Sequence, residues 1–144
     1  MIACGGDDKT MEHKNVFRFN LYSEVSSLDP AFARNQSNTW GVNQLFDGLV
    51  QINDKLKIIP SVAKKWSISD DGLTYTFHLR TDVFFHDNKV FTDGKGRKAV
   101  AEDFVYSFHR IIDPKVASPG AWIFNDKIDT AHAFTAINDS TFQI

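Results

Sequence analysis

Trp66-Ser67-Ile68-Ser69-Asp70-Asp71-Gly72-Leu73-Thr74-Tyr75-Thr76-Phe77-His78-Leu79-Arg80 is the stretch on which the fold turns. Two apolar-bearing runs, Trp66 to Ile68 and Thr74 to Arg80, flank a turn at Ser69-Asp70-Asp71-Gly72. The turn residues include a glycine able to take positive φ, so the spacing predicts a β-hairpin. Side chains alternate across a strand, which places Tyr75, Phe77 and Leu79 on one face and Thr74, Thr76 and His78 on the other. Val83-Phe84-Phe85 is a candidate further strand, and residues 87–98 form a polar, glycine-containing exposed loop.

Beyond that loop, Ala101, Phe104, Val105, Phe108, Ile111 and Ile112 recur at steps of mostly three and four. This spacing predicts an amphipathic helix. Glu102 and Asp103 sit where the helix dipole favours negative charge, and Asp113-Pro114 stops it. Ser118-Pro119-Gly120 is a turn, and Thr141 to Ile144 starts a strand whose partners are expected beyond the chain. Upstream, Val16 to Tyr22 alternates as a strand. Asn35 to Ser37 offers N-cap side chains for a helix over about 38–47. Leu49 to Ile52 is a short strand with a turn at Asn53-Asp54, and a helical turn is expected around Ser61 to Lys65. Residues 1–14 carry no periodicity and read as a leader. Strands and helices in this order define an α+β domain.

Composition narrows the function. The 144 residues are 42% hydrophobic and 24% charged, which excludes a disordered chain. A net charge of -2 provides no basic field for nucleic acid. No apolar run nears the ~20 residues of a membrane-spanning helix. Thirteen phenylalanines against three tyrosines and three tryptophans point to a thick core or to a face that packs on something else.

Chemistry-bearing groups are sparse. Asp70-Asp71, Asp87 and Glu102-Asp103 each have a structural place at a turn, a strand end or a helix start, and no pair is set up to converge for acid–base work. None of His13, His78, His86, His109 and His132 belongs to an HExxH motif. Gly94-Lys95-Gly96-Arg97-Lys98 lacks the following Ser/Thr of a phosphate loop. No catalytic residue, metal site or cofactor is expected. Trp66 reads as core, and Trp122 is open between core and a ligand cleft. A lone cysteine, Cys4, makes no internal disulfide. Ile2-Ala3-Cys4-Gly5-Gly6 looks like the end of a lipoprotein signal, with Asp7 to Thr10 as a tether.

The order of blocks goes further than the spacing. Ser23 to Pro30, Leu45-Phe46-Asp47-Gly48-Leu49, Val62 to Trp66 with Tyr75 to Arg80, and Phe85-His86-Asp87 come first. Ala101 to Ser107 with Arg110 and Asp113-Pro114, Ala117-Ser118-Pro119, and Ala136 to Phe142 follow. From about Asn15 to Ile144 the chain resembles the bacterial extracellular solute-binding proteins, family 5, which bind peptides or nickel for ABC importers.

The resemblance implies a periplasmic-binding-protein-like (class II) fold of two lobes, of which residues 1–144 hold part of the first. It implies a leader at 1–14, the opening of lobe I at 15–48, and its small mixed α/β subdomain at 49–144, with the second lobe absent. It implies short peptides or related solutes as ligand, an ABC permease as partner, and a lipid anchor on Cys4 at the cell envelope. Ligand contacts fall on Ala33, Arg34, Asn35 and Gln36 after Leu28-Asp29-Pro30, and on Gly120 and Trp122 after the Ser-Pro turn. Two residues depart from the family: Arg34 where an acidic residue is common, and Gly120 where a tyrosine is usual. An enzyme, or a sensor or scaffold, built on the same fold is the alternative.

Overall fold

The computed structural model describes residue 18 and residues 20–144. The leader and Cys4 lie outside the described residues, as do Val16, Phe17 and Phe19 of the expected first strand; Arg18, Asn20, Leu21 and Tyr22 are described and belong to no strand. A 3-10 turn at Pro30–Phe32 leads into helix α1 (Gln36–Asn43). Strands β1 (Val50–Ile52) and β2 (Ile58–Pro60) form a two-stranded antiparallel ribbon. Strands β3 (Ala63–Ile68) and β4 (Tyr75–Leu79), helix α2 (Ala101–Ile112), a 3-10 turn at Ala121–Ile123, and strands β5 (Thr135–Asn138) and β6 (Thr141–Gln143) follow. The last four strands make one antiparallel sheet in the order β3-β4-β6-β5.

The β3–β4 hairpin is present, with Trp66 opposite Phe77 and Gly72 at φ 75° in its turn. Phe77 and Leu79 are buried, while Tyr75 at the strand start is exposed. Helix α2 lies on β5 and β6. Its entry is fixed by two contacts: the Ala101 N–H donates to the Asp139 carbonyl at 2.9 Å, and the Asp103 carboxylate accepts from the Val100 N–H at 2.9 Å. Asp113 ends the helix, as its following proline requires.

Phenylalanines fill the space between sheet and helix. Phe142 is fully buried on β6, with ring centroids 6.3 Å from Phe77, 5.9 Å from Phe104 and 5.5 Å from Phe108. Phe108 continues the cluster to Phe134 at 5.2 Å and to Phe124 at 5.9 Å. Burying one such ring is worth about 1.5–3 kcal/mol, and each well-set ring pair adds roughly 0.5–1.5 kcal/mol. Six phenylalanines thus build this core, while Phe32, Phe46, Phe84 and Phe85 are exposed.

Four expectations are corrected. Residues 61–65 are extended rather than helical, because the N–H groups of Ser61, Val62 and Ala63 pair with the carbonyls of Leu49 and Gly48. Helix α1 starts two residues earlier and ends four earlier than expected; the N–H groups of Gln44, Leu45 and Phe46 tighten onto Gly41 and Val42. Strand β6 does not lack partners: β4 flanks it on one side and β5 on the other. Residues 83–85 make an isolated bridge, Phe84 to Lys98, rather than a strand, and Phe84 and Phe85 are exposed. Apart from these, Arg80 pairs with Asp82 at 3.0 Å and Asp103 with Arg97.

The loop at 87–98 is exposed yet laced. Lys95 pairs with Asp87 at 2.6 Å, and the Gly96 N–H donates to the same carboxylate at 3.0 Å. A Cβ on Gly96 would stand 1.6 Å from the Phe85 carbonyl oxygen, so only glycine fits there. Lys95 and Arg97, two of the cations of the Gly94 to Lys98 segment, are each paired with a carboxylate of the chain.

The cluster makes a direct prediction. Phe142→Ala should lower unfolding free energy by about 3–5 kcal/mol in urea denaturation. Ile68→Ala, on an exposed side chain, should cost well under ~1 kcal/mol. Similar losses for both would show that the ring cluster is not the centre of stability.

A candidate ligand groove beside the Leu-Asp-Pro loop

Asp29 does two jobs. Pro30 holds it extended (φ -74°, ψ 120°), so its carboxylate turns back and accepts from the Ala31 N–H at 3.0 Å. The same carboxylate takes both ends of the Arg110 guanidinium, Nη1 to Oδ1 at 2.9 Å and Nη2 to Oδ2 at 2.6 Å. Arg110 stands in the last turn of α2, where a cation complements the helix dipole. Bidentate pairing fixes orientation as well as energy, and it joins positions 81 residues apart.

A second tie reinforces the first. The buried Ser118 hydroxyl donates to the Ala31 carbonyl at 2.6 Å and accepts from the Gly120 N–H at 3.1 Å. The loop at 29–34 is thus held against α2 on one side and the Ser-Pro turn on the other. Upstream, Ser26 is bound to the buried Asn38 side chain, its N–H donating to Oδ1 at 3.0 Å. Ser23 and the buried Ser37 share a 2.6 Å hydroxyl contact. Segment 23–28 is therefore pinned to α1.

Between loop and turn lies a groove of about 440 Å³. Ala33 and Arg34 line it from the loop, Phe108 and Ile111 from α2, and Gly120 and Trp122 from the turn. Four of the six expected contact residues therefore come together: Ala33, Arg34, Gly120 and Trp122. The other two do not line it. Asn35 uses its side chain to cap α1, accepting from the Asn38 N–H at 2.8 Å, and Gln36 is exposed on the first turn of that helix. Trp122 is 67% exposed, so it belongs to the surface and not to the core. A Cβ on Gly120 would meet Ser118 Oγ at 3.5 Å and Ile111 Cγ2 at 3.8 Å, ordinary contact distances. A side chain could stand there, and its absence leaves the groove wider.

Sequence reasoning missed the wall formed by Phe108 and Ile111. Their three-residue spacing signalled the apolar face of α2, but not that the end of that face is left uncovered. A separate apolar hollow of about 430 Å³ lies between Leu45-Phe46 and residues 83–91. No cluster of three or more His, Cys, Asp or Glu able to hold a metal exists among the described residues.

The Arg110 hydrogen bond, aided by the Ala31 N–H, holds the Asp29 carboxyl below its ordinary value of 3.8, against a smaller opposing effect of burial. The Arg110 guanidinium is raised in turn by Asp29. A carboxyl lowered in the folded state stabilises the fold above its unfolded pKa, and that stabilisation fades as pH falls towards the folded one.

Comparison with known proteins gives this geometry its class. The sequence profile of the bacterial extracellular solute-binding proteins, family 5 Middle, matches residues 57–144. The chain belongs to that family. It is 36% identical over 124 residues to the probable deoxycholate-binding periplasmic protein YgiS of Escherichia coli, covering 85% of this chain and 22% of YgiS. It is 42% identical over 103 residues to the periplasmic murein peptide-binding protein MppA of the same organism, covering 72% of this chain and 18% of MppA. The solved structure of MppA superimposes with a TM-score of 0.69 at 33% identity, over 86% of this chain and 25% of that one. NikZ of Campylobacter jejuni, solved with Ni(L-His), gives a TM-score of 0.70 at 30% identity, over 85% and 22%. The chain thus has the fold of part of a periplasmic-binding-protein lobe and spans about a fifth of the length of the curated relatives it matches.

The Asp29 tie predicts a pH signature. Asp29→Asn should cost about 1.5–3 kcal/mol near neutral pH, the usual range for a hydrogen bond to a charged group. The gap between wild type and variant should stay flat above about pH 5 and shrink as pH falls through 3.8. Urea titrations at stepped pH measure it, and a gap that widens in acid would contradict the assignment.

Proposed function

We propose that the full-length protein is the substrate-binding component of a peptide-type ABC importer. It captures short peptides or related small solutes outside the inner membrane and presents them to the permease. The observation that carries this reading is the groove at Arg34, Gly120 and Trp122, built by the Asp29–Arg110 and Ser118–Ala31 ties in a chain of this family. Relatives named as dipeptide-, oligopeptide- and murein peptide-binding proteins support the peptide class.

The groove's own chemistry favours holding over transforming. Its lining presents no carboxylate pair, and its one serine, Ser118, is hydrogen-bonded to a backbone carbonyl and a backbone N–H with no base beside it. An extended peptide bound through its backbone is read by length more than by sequence. Closure of a second lobe over lobe I would bury the ligand and create the surface a permease recognises. Acylation of Cys4 would hold the protein at the membrane, and stable hold requires more than one acyl chain.

Ligand-dependent melting of the full-length protein tests the binding role. Melting temperature should rise with the logarithm of ligand concentration for at least one class of di- to pentapeptides. No shift with peptides, nickel–histidine or deoxycholate would overturn it. For the anchor, wild type should sediment with membranes from its bacterial host and Cys4→Ser should not. Equal partition of the two would remove the lipid assignment.

A further inference from the structure

The groove carries one charge. Among the described residues, Arg34 is the only ionisable one lining it, and the rest of the lining is mostly apolar, with Phe108, Ile111, Trp122, Ile123 and Phe124 prominent. The nearby carboxylate, Asp29, has both oxygens committed to Arg110. The ion pairs among the described residues use Arg80, Lys95, Arg97, Arg110 and His132, and none uses Arg34. Arg34 is exposed, and among the described residues no carboxylate forms an ion pair with it.

An unmatched guanidinium at the edge of an apolar wall favours one kind of partner. Its planar fork suits a carboxylate, which it can hold by two parallel hydrogen bonds. The adjoining apolar surface rewards a hydrophobic body attached to that carboxylate. As a bound ligand displaces water from the wall, the charge pair strengthens in the lower dielectric. An ammonium placed in the same position would meet repulsion instead.

We propose that Arg34 makes this groove selective for amphipathic carboxylates: a ligand carboxylate pairs with the Arg34 guanidinium while its apolar part lies against Trp122, Phe108 and Ile111. The inference rests on the binding role proposed above and adds the ligand's charge and polarity to it. A volume of about 440 Å³ lies in the range of small-ligand sites. Gly120, which leaves the turn side unfilled, provides room for the apolar part.

The carboxylate could belong to a peptide or to a non-peptide amphipathic acid, and calorimetric titration of the full-length protein distinguishes them. The probes are an Ala-Phe dipeptide as free acid, the same dipeptide amidated, and deoxycholate. Arg34→Met and Arg34→Glu are compared with wild type. Wild type should bind at least one free acid, and the amide roughly tenfold or more weakly. Arg34→Glu should weaken the acid by a similar factor or more and leave the amide within about twofold, with Arg34→Met between the two. Added salt should weaken the acid in wild type and not in Arg34→Met. Acid affinity that is indifferent to Arg34 overturns the proposal while leaving the binding role intact. Failure of wild type to bind any of these probes or the peptide series overturns both.

Discussion

Phe142 is the residue through which the rest of the structure is coordinated. It lies at the centre of the four-stranded sheet with no solvent exposure, and three rings close over it. Two of those rings, Phe104 and Phe108, belong to α2. Close packing leaves little freedom for the helix to rotate or slide. The rotation of α2 then decides where Arg110 emerges, two residues beyond Phe108. Arg110 decides where Asp29 is held, and Asp29 decides the path of the loop that carries Ala33 and Arg34. A hydrophobic contact in the core therefore sets a polar group at the surface, through one helix and one ion pair.

The ties are unequal in character. Arg80–Asp82 and Lys95–Asp87 are exposed pairs, which contribute little to stability. Asp29–Arg110 is partly shielded, bidentate and backed by a backbone N–H, and its value lies in placing distant segments. Ser118 does similar work without charge, using one buried hydroxyl to join the loop carbonyl to the Ser-Pro turn. Around these fixed points the groove is left apolar with a single cation. Such a lining can retain a ligand and discriminate by charge, and it contains no pair of groups poised to move a proton.

Much of the fold is legible in the order of residues because short-range patterns dictate it. Alternation over 74–80 with a glycine turn makes β3–β4, and the steps from Ala101 to Ile112 with a following proline make α2. What the pattern cannot carry is pairing over long distance. The extended path of residues 61–65 is imposed by carbonyls of Leu49 and Gly48, and the central place of β6 comes from a hairpin with β5. Of the positions the resemblance points to, Ala33, Arg34, Gly120 and Trp122 line the groove, whereas Asn35 has the local chemistry of an N-cap and its side chain is used there. The Asp29–Arg110 pair was hidden because neither residue is unusual alone, and only the packing of α2 brings them together.

Helix α2, through Arg110, holds the loop that carries Ala33 and Arg34 in place. Native-state hydrogen exchange on Arg110→Met against wild type tests it most directly, since local opening is read residue by residue. The N–H groups of Ala31, Phe32, Ala33 and Gly120, all hydrogen-bonded within the loop and turn, should lose protection. Those of Phe77 and Phe142 in the sheet should keep theirs. Unchanged protection of the loop, or a uniform loss across loop and sheet alike, would contradict it.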